Sequence, residues 1–186
     1  MTKAQVRRDL LGRRRTMGDQ QRGRAAEAIA MHALSTPVVA RAKRVACYLS
    51  MPSEPGTAPL ISGLLGLGIE VIVPLSRPDR TLEWVAYDPA EPVAPTALGI
   101  PEPAGPPLGP DALDRCDLLF VPAVAVDHAG HRLGRGAGYY DRALADVRGP
   151  LCAVVFTHEL LPEVPHEPHD VPVQMVITPD GLFRVP

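Results

Sequence analysis

The sequence predicts a single α/β domain over residues 1–186, a three-layer α/β/α sandwich around a mostly parallel, mixed sheet. Short apolar runs typical of buried strands alternate with helical segments, mostly without hairpin turns, which favours a sheet covered on both faces. The length of 186 residues suits one domain with its own core, and no internal repeat divides the chain.

The elements follow in order along the chain. Two N-terminal helices are predicted within about 2–35, the first because Val6, Leu10 and Leu11 are spaced for one apolar face. A further helix is predicted from residue 58 to the glycines near 66, and another at 139–147. Strands are predicted at 44–50, 70–75, 81–87, 116–126 and 151–157, with a last edge strand at 174–185. Helices and strands therefore alternate, as the fold class requires.

Residues 88–111 hold eight prolines. Proline removes a backbone donor and fixes φ, so neither a helix nor a central strand tolerates that density. We expect an extended surface connection, and we place it inside the domain because a strand follows it directly.

Composition and charge exclude several classes of protein. The net charge of -2 argues against a nucleic-acid binder, which usually carries a basic surface. The longest apolar stretch is interrupted by Glu70 and three glycines, so we expect no membrane span. The cysteines Cys47, Cys116 and Cys152 form no CxxC pair, which fits a reducing compartment. We expect a cytoplasmic monomer with small-molecule partners.

The segment DHAGHRLGRGAGYYDR (127–142) carries the strongest chemical signal. Gly134, Gly136 and Gly138 alternate between a buried strand and a predicted helix, where glycine lets backbone N–H groups turn inward toward a phosphate. Arg132 and Arg135 flank them and can add charged hydrogen bonds. The spacing matches neither the dinucleotide nor the Walker fingerprint, so a simple turn with solvated arginines stays open.

RLGRGAGYYDR resembles the signature R-L-G-x-G-x-G-Y-Y-D-R of the 5-formyltetrahydrofolate cyclo-ligase family. Five further segments resemble that family in the same order: KAQVR, YLSMPSEPGT, LGIPEP, VPAVAVD and HDVPVQMVIT. The resemblance implies conversion of 5-formyltetrahydrofolate and ATP into 5,10-methenyltetrahydrofolate, ADP and phosphate, with Mg²⁺ as cofactor. This reaction needs no covalent nucleophile, and the sequence shows no Ser/His/Asp or Cys/His constellation.

The resemblance also implies roles for individual residues. For ATP it implies Lys3, Arg7, Arg132, Gly134, Arg135, Gly136, Ala137, Gly138, Tyr139 and Tyr140. For the folate it implies Leu49, Glu54 and Tyr139, and for catalysis Arg135 and Tyr139. For Mg²⁺ it implies Asp141. Gln174 stands where the family pattern has an aspartate, so we assign the second metal position to Asp170.

Plainer roles stay open for several of these residues. Lys3 and Arg7, one helical turn apart, can be a solvated basic face, and Glu54 an ordinary surface carboxylate. Tyr140 can pack in the core, and Asp141 can complement a helix dipole. The other arginines of the first helix, Arg8, Arg13, Arg14 and Arg15, are interpreted as solvated charge.

Two other hypotheses remain. A folate- or nucleotide-binding protein that has lost catalysis would explain Ala137, where relatives carry glycine or lysine, and Gln174. A sugar-phosphate or acyl-transfer enzyme on the same type of sheet would need no ATP. His166 and His169 are interpreted as part of a loop, because Pro168 prevents a helical spacing and no third metal ligand is obvious.

Overall fold

The computed structural model describes residues 1–91, 93–95, 101–167 and 170–185. The helices in these residues are α1 (Lys3–Thr16), α2 (Asp19–Leu34), α3 (Pro37–Ala40), α4 (Ala58–Gly66) and α5 (Tyr139–Ala143). The strands are β1 (Arg44–Ala46), β2 (Glu70–Ser76), β3 (Leu82–Ala86), β4 (Val93–Pro95), β5 (Pro101–Pro103), β6 (Leu118–Pro122), β7 (Ala125–Asp127), β8 (Arg132–Leu133), β9 (Leu151–Val154), β10 (Leu160–Leu161), β11 (Met175–Thr178) and β12 (Gly181–Arg184). Single 3-10 turns lie at Leu113–Arg115 and Thr157–Glu159.

The main sheet has seven strands in the order β12-β11-β9-β6-β1-β2-β3. The interior pairs β11·β9, β9·β6, β6·β1 and β1·β2 are parallel, and each edge strand, β3 or β12, is added antiparallel. The interior strands β6, β9 and β11 are almost fully buried, as parallel strands covered on both faces require. The predicted α/β fold with a mostly parallel, mixed sheet is confirmed.

The two faces of the sheet are covered differently. On one face α2 and α4 pack through Ile29, Leu60 and Leu64 against the strands. On the other face the cover is shorter, with Leu113 of a 3-10 turn and Leu144 just after α5. Among the described residues, no helix has the length and apolar character needed to cross a membrane.

The apolar run at 116–126 forms two strands instead of the single predicted one. β6 ends at Pro122, whose nitrogen has no hydrogen to donate, and β7 then pairs with β8 and β10 in a separate three-stranded sheet. Val6 and Leu10 of α1 pack on this small sheet rather than on the main one. The first helix is therefore held next to the glycine-rich segment, which follows β8.

The proline-rich connection contains no helix within its described residues, as predicted. It contains the antiparallel pair β4·β5, which forms a sheet of its own. Leu98, Gly99 and Ile100 of the LGIPEP segment lie outside the described residues, and so do Pro168 and His169. At the other end of the chain, the predicted edge strand is two strands, of which β12 forms the edge.

The interpretation of Arg14 as solvated charge is wrong. Its side chain is 1% exposed and faces Glu159, which is 0% exposed. Arg14 Nε and Nη2 donate to the two carboxylate oxygens of Glu159 at 2.6 and 2.9 Å, and Nη2 also donates to Ala123 O at 2.6 Å. This buried fork ties α1 to the end of the main sheet.

Candidate active site

A cavity of about 220 Å³ opens at the carboxyl ends of the central strands β1 and β6. Tyr48 and Leu49, which follow β1, and Pro122 and Ala123, where β6 ends, line it. The strand order reverses between these strands, because the chain continues from β1 to β2 on one side and from β6 to β9 on the other. Open α/β sheets bind ligands at such a point, so the location alone indicates a ligand site.

The glycine-rich loop between β8 and α5 forms one wall of the cavity. Residues 134–141, including Ala137, all line it. Gly136 and Gly138 have φ values of 99° and 78°, which residues with a Cβ rarely adopt. The three glycines of this loop, together with Arg132 and Arg135, therefore line a single cavity.

Two buried polar atoms of residues in this wall, Arg132 Nε and the Tyr140 hydroxyl, have no hydrogen-bond partner among the described residues. Burial raises the pKa of Tyr140 well above its usual range, although Arg132 opposes the shift, so the hydroxyl stays protonated. An unpaired buried donor costs roughly 1–3 kcal/mol. An oxygen-rich ligand in the cavity would offset that cost.

Glu54 and Arg135 meet at the cavity. Arg135 Nε donates to Glu54 Oε1 at 2.9 Å, and Arg135 Nη2 donates to Ser53 Oγ at 3.3 Å. Glu54 is buried and not the ordinary surface carboxylate of the plainer interpretation, and its Oε2 accepts the Met51 N–H at 3.0 Å. The residue predicted for the folate is therefore bonded to a residue predicted for ATP.

Tyr139 and Leu49 supply flat and apolar surface to the same cavity. The Tyr139 hydroxyl donates to Arg77 O at 3.4 Å, which fixes the ring beside the end of β2. The sequence analysis missed several lining residues: Tyr48, Met51, Pro74, Ser76, Leu82, Pro122 and Ala123. Their signal is positional, because most of them follow or end strands next to the point where the strand order reverses.

Lys3 and Arg7 project from α1, but they lie differently. Arg7 Nε donates to Gly134 O at 2.7 Å, and its guanidinium lies against Gly136, so it supports the glycine-rich loop from behind. Lys3 Nζ is 2.8 Å from Asp170 Oδ2 and 3.5 Å from Glu167 Oε2. Desolvation lowers the pKa of Lys3, but these carboxylates outweigh it and raise the pKa. Neither Lys3 nor Asp170 is among the described lining residues.

The two residues predicted for Mg²⁺ are thus bonded to different cations. Asp141 Oδ1 accepts from Arg132 Nη2 at 2.6 Å, and the Asp141 side chain is 43% exposed at the cavity. Gln174 Oε1 accepts the Leu151 N–H at the amino end of β9, the opposite edge of the sheet. Asp141 has a second oxygen and access to the cavity, which fits an ion that takes one or two carboxylates plus phosphate oxygens.

Asp127, His131 and His166 bring one possible ligand atom each to within 4.8 Å of one another. The Asp127 carboxylate already accepts four hydrogen bonds, from the backbone of Ala129, His131 and Val164 and from His131 Nδ1. The two imidazoles stack with centroids 3.5 Å apart and planes 3° apart. The ring nitrogens of two stacked, parallel imidazoles cannot both be directed at one ion. The cluster is therefore accounted for by hydrogen bonding.

A model of the 5-formyltetrahydrofolate cyclo-ligase family matches residues 1–179 of the chain, and this span contains the whole cavity wall. The chain belongs to this family.

Relatives of the cyclo-ligase family cover nearly all of the chain. The 5-formyltetrahydrofolate cyclo-ligase of Mycolicibacterium smegmatis is 40% identical over 96% of this chain and 94% of its own. The one from Escherichia coli (strain K12) is 33% identical over 92% of this chain and 97% of its own. An NMR structure of Aquifex aeolicus 5,10-methenyltetrahydrofolate synthetase has a TM-score of 0.85 at 30% identity, covering 100% of this chain and 93% of that one. The predicted family, fold class and enzyme class are confirmed.

Proposed function

We propose that the protein uses ATP to close 5-formyltetrahydrofolate into 5,10-methenyltetrahydrofolate, with release of ADP and phosphate. One observation carries this proposal. A single cavity is lined both by Arg132, Arg135 and the glycine-rich loop and by Leu49 and Glu54. The first group suits phosphates, and the second suits a flat heterocycle with N–H donors.

The reaction needs a better leaving group than a formamide oxygen. The formyl oxygen attacks the γ-phosphorus of ATP, and the bond to the bridging oxygen breaks to release ADP. N10 then attacks the formyl carbon of the iminium phosphate, N10 loses its proton, and the carbon–oxygen bond breaks to release phosphate. Catalysis here is alignment and charge neutralisation, as in other phosphoryl transfers.

The residues of the cavity divide these tasks. Arg132 and Arg135 donate to phosphate oxygens, and the backbone of the loop from Gly134 to Gly138 encloses them. Glu54 accepts from the pterin, and the Tyr139 ring packs on it. A bound Mg²⁺ would neutralise phosphate charge, and Asp141 would hold it with help from the phosphates themselves.

Arg7 has a supporting role, because its guanidinium already binds Gly134 O and shapes the loop. Lys3 Nζ is bonded to Asp170, so Lys3 reaches phosphate only after leaving that carboxylate, and the assignment of Asp170 as the second metal ligand stays a prediction. The cysteines Cys47, Cys116 and Cys152 are unpaired and buried, which fits the reducing cytoplasm that we propose for the reaction.

The alternative of a binding protein without catalysis loses one of its two supports. Gln174 lies at the amino edge of the sheet, so its amide does not weaken a metal site in the cavity. Ala137 still supports the non-catalytic alternative, because it lacks the cation that a lysine at this position would add to the cavity wall.

We expect the purified protein to form the methenyl product only when both ATP and a divalent metal are present. The formamide oxygen leaves only as phosphate, and the described residues that line the cavity include neither the cysteine nor the histidine that covalent catalysis commonly uses. The measurement is the absorbance rise of the product, with samples that lack ATP or contain a chelator. Full turnover after enzymatic removal of ATP would overturn the assignment, and binding of both ligands without turnover would support the non-catalytic alternative.

We expect Asp141→Asn to lower the rate at limiting metal and to be partly rescued by more metal. Loss of a residue that only hydrogen-bonds to a metal ligand lowers metal affinity at least about tenfold. Because Asp141 is proposed as the ligand itself, the variant should need at least about ten times more metal for half-maximal rate. Asp146→Asn, an exposed change just beyond α5, is the matched control. Unchanged metal dependence in Asp141→Asn would mean that Asp141 serves only Arg132 and the helix.

A further inference from the structure

The ion pair between Glu54 and Arg135 joins the two halves of the cavity. Arg135 Nε lies 2.9 Å from Glu54 Oε1, so the cation proposed for phosphate neutralises the carboxylate proposed for the pterin. Each group therefore blocks the other from its ligand. A substrate that binds either Glu54 or Arg135 has to break the ion pair.

Glu54 is held in place, and Arg135 is the partner that moves. The loop around Glu54 is closed by two hydrogen bonds, from the Tyr48 hydroxyl to Pro55 O at 2.9 Å and from Thr57 Oγ1 to Tyr48 O at 2.6 Å. The Glu54 side chain is 7% exposed, whereas that of Arg135 is 38% exposed. The more exposed arginine side chain can turn away from Glu54 toward a bound phosphate, and the carboxylate stays where it is.

We infer that this pair makes the two substrates bind cooperatively, an inference that rests on the proposed function. When ATP takes Arg135 alone, a buried carboxylate is left without its partner, which is unfavourable. When the folate takes Glu54 alone, its N–H donors replace the arginine, and the pair is again lost. With both substrates bound, the pair is broken once rather than twice. Each substrate therefore raises the affinity for the other by the same factor.

Coupled binding gives the ion pair a role beyond holding two loops together. Without the folate, Arg135 stays on Glu54 and the phosphates of ATP lack one of their donors. With the folate seated, Arg135 is released toward the phosphates. ATP is therefore held tightly only when its acceptor, the formyl oxygen, is present, which limits wasteful hydrolysis.

The test is a titration of the Mg²⁺ complex of an ATP analogue with a β,γ-imido bridge, followed by calorimetry, with and without saturating 5-formyltetrahydrofolate. In the wild type we expect the folate to lower the Kd of the analogue about tenfold, within the roughly 5–150-fold range of coupled sites. In Glu54→Gln we expect the analogue alone to bind more tightly than it binds wild type alone, with little further effect of the folate. A gain in nucleotide affinity from a change outside the glycine-rich loop is the distinctive result.

Ser53→Ala is the matched control, because it removes the 3.3 Å contact but leaves the ion pair, and we expect it to keep the coupling. Arg135→Gln breaks the pair from the other side and should abolish the coupling while weakening the analogue. Equal affinities with and without folate in the wild type, or coupling that survives in Glu54→Gln, would overturn the inference. Turnover in the same preparations separates the two proposals, since normal turnover without coupling refutes only the inference.

Discussion

Replacing Arg14 with alanine should lower the free energy of unfolding by about 3–5 kcal/mol, the usual cost of removing one partner of a buried ion pair. Glu159, fully buried, would be left without the guanidinium that binds both of its oxygens. Ala123 O would lose a donor at the same time. Urea unfolding at constant m-value measures the change.

The same helix offers two matched controls. Arg13 and Arg15 flank Arg14 and are exposed, so Arg13→Ala and Arg15→Ala should change stability by no more than about 0.5 kcal/mol. Changing the pair together, Arg14→Met with Glu159→Leu, should recover most of the loss, because apolar residues of similar volume can replace a buried pair. If Arg14→Ala is no less stable than Arg13→Ala and Arg15→Ala, the buried ion pair does not contribute the expected free energy of unfolding.

Arg135→Ala should weaken ATP by roughly 1.5–3 kcal/mol, the range for hydrogen bonds to charged groups, and leave the folate much less affected. The variant removes a donor to phosphate, and it frees Glu54 for the pterin. Glu54→Gln should weaken the folate but not ATP, because Arg135 is then free to donate to phosphate. Separate titrations with each ligand measure both effects.

Arg148→Ala, an exposed arginine beyond the same helix, controls for the loss of positive charge and should leave both affinities within about 0.5 kcal/mol. Equal losses of both ligands in both variants would mean that the two halves of the cavity have been misassigned.

Much of the fold was predictable because local patterns carry it. The alternation of buried runs and amphipathic segments was enough for the mostly parallel sheet, and the alternating glycines marked the wall of the cavity. The end of β6 at Pro122 was not predicted, because an apolar run has the same sequence pattern whether its residues stay in one sheet or pass into another. Only the pairing of β7 with β8 and β10 decides that question, and those contacts are not local.

The error at Arg14 had a visible signal. Val6, Leu10 and Arg14 are spaced four apart on α1 and all lie on its buried face, so helical phase alone separated Arg14 from Arg13 and Arg15. The identity of its partner was not accessible, because Glu159 lies in a distant turn. The contact between Glu54 and Arg135 was hidden for the same reason, since it joins loops 81 residues apart.

The placement of α1 has a consequence for the order in which the protein is assembled. The ribosome makes this helix before the strands of the main sheet, yet its side chains bind Ala123, Gly134 and Glu159, which are 109, 127 and 145 residues further along. Closing such long loops is entropically costly and comes late in folding. A nascent chain that ends before Glu159 therefore has the helix but lacks the carboxylate that pairs with Arg14. Nucleotide binding should be gained only after Glu159 has been made, in one cooperative closing step.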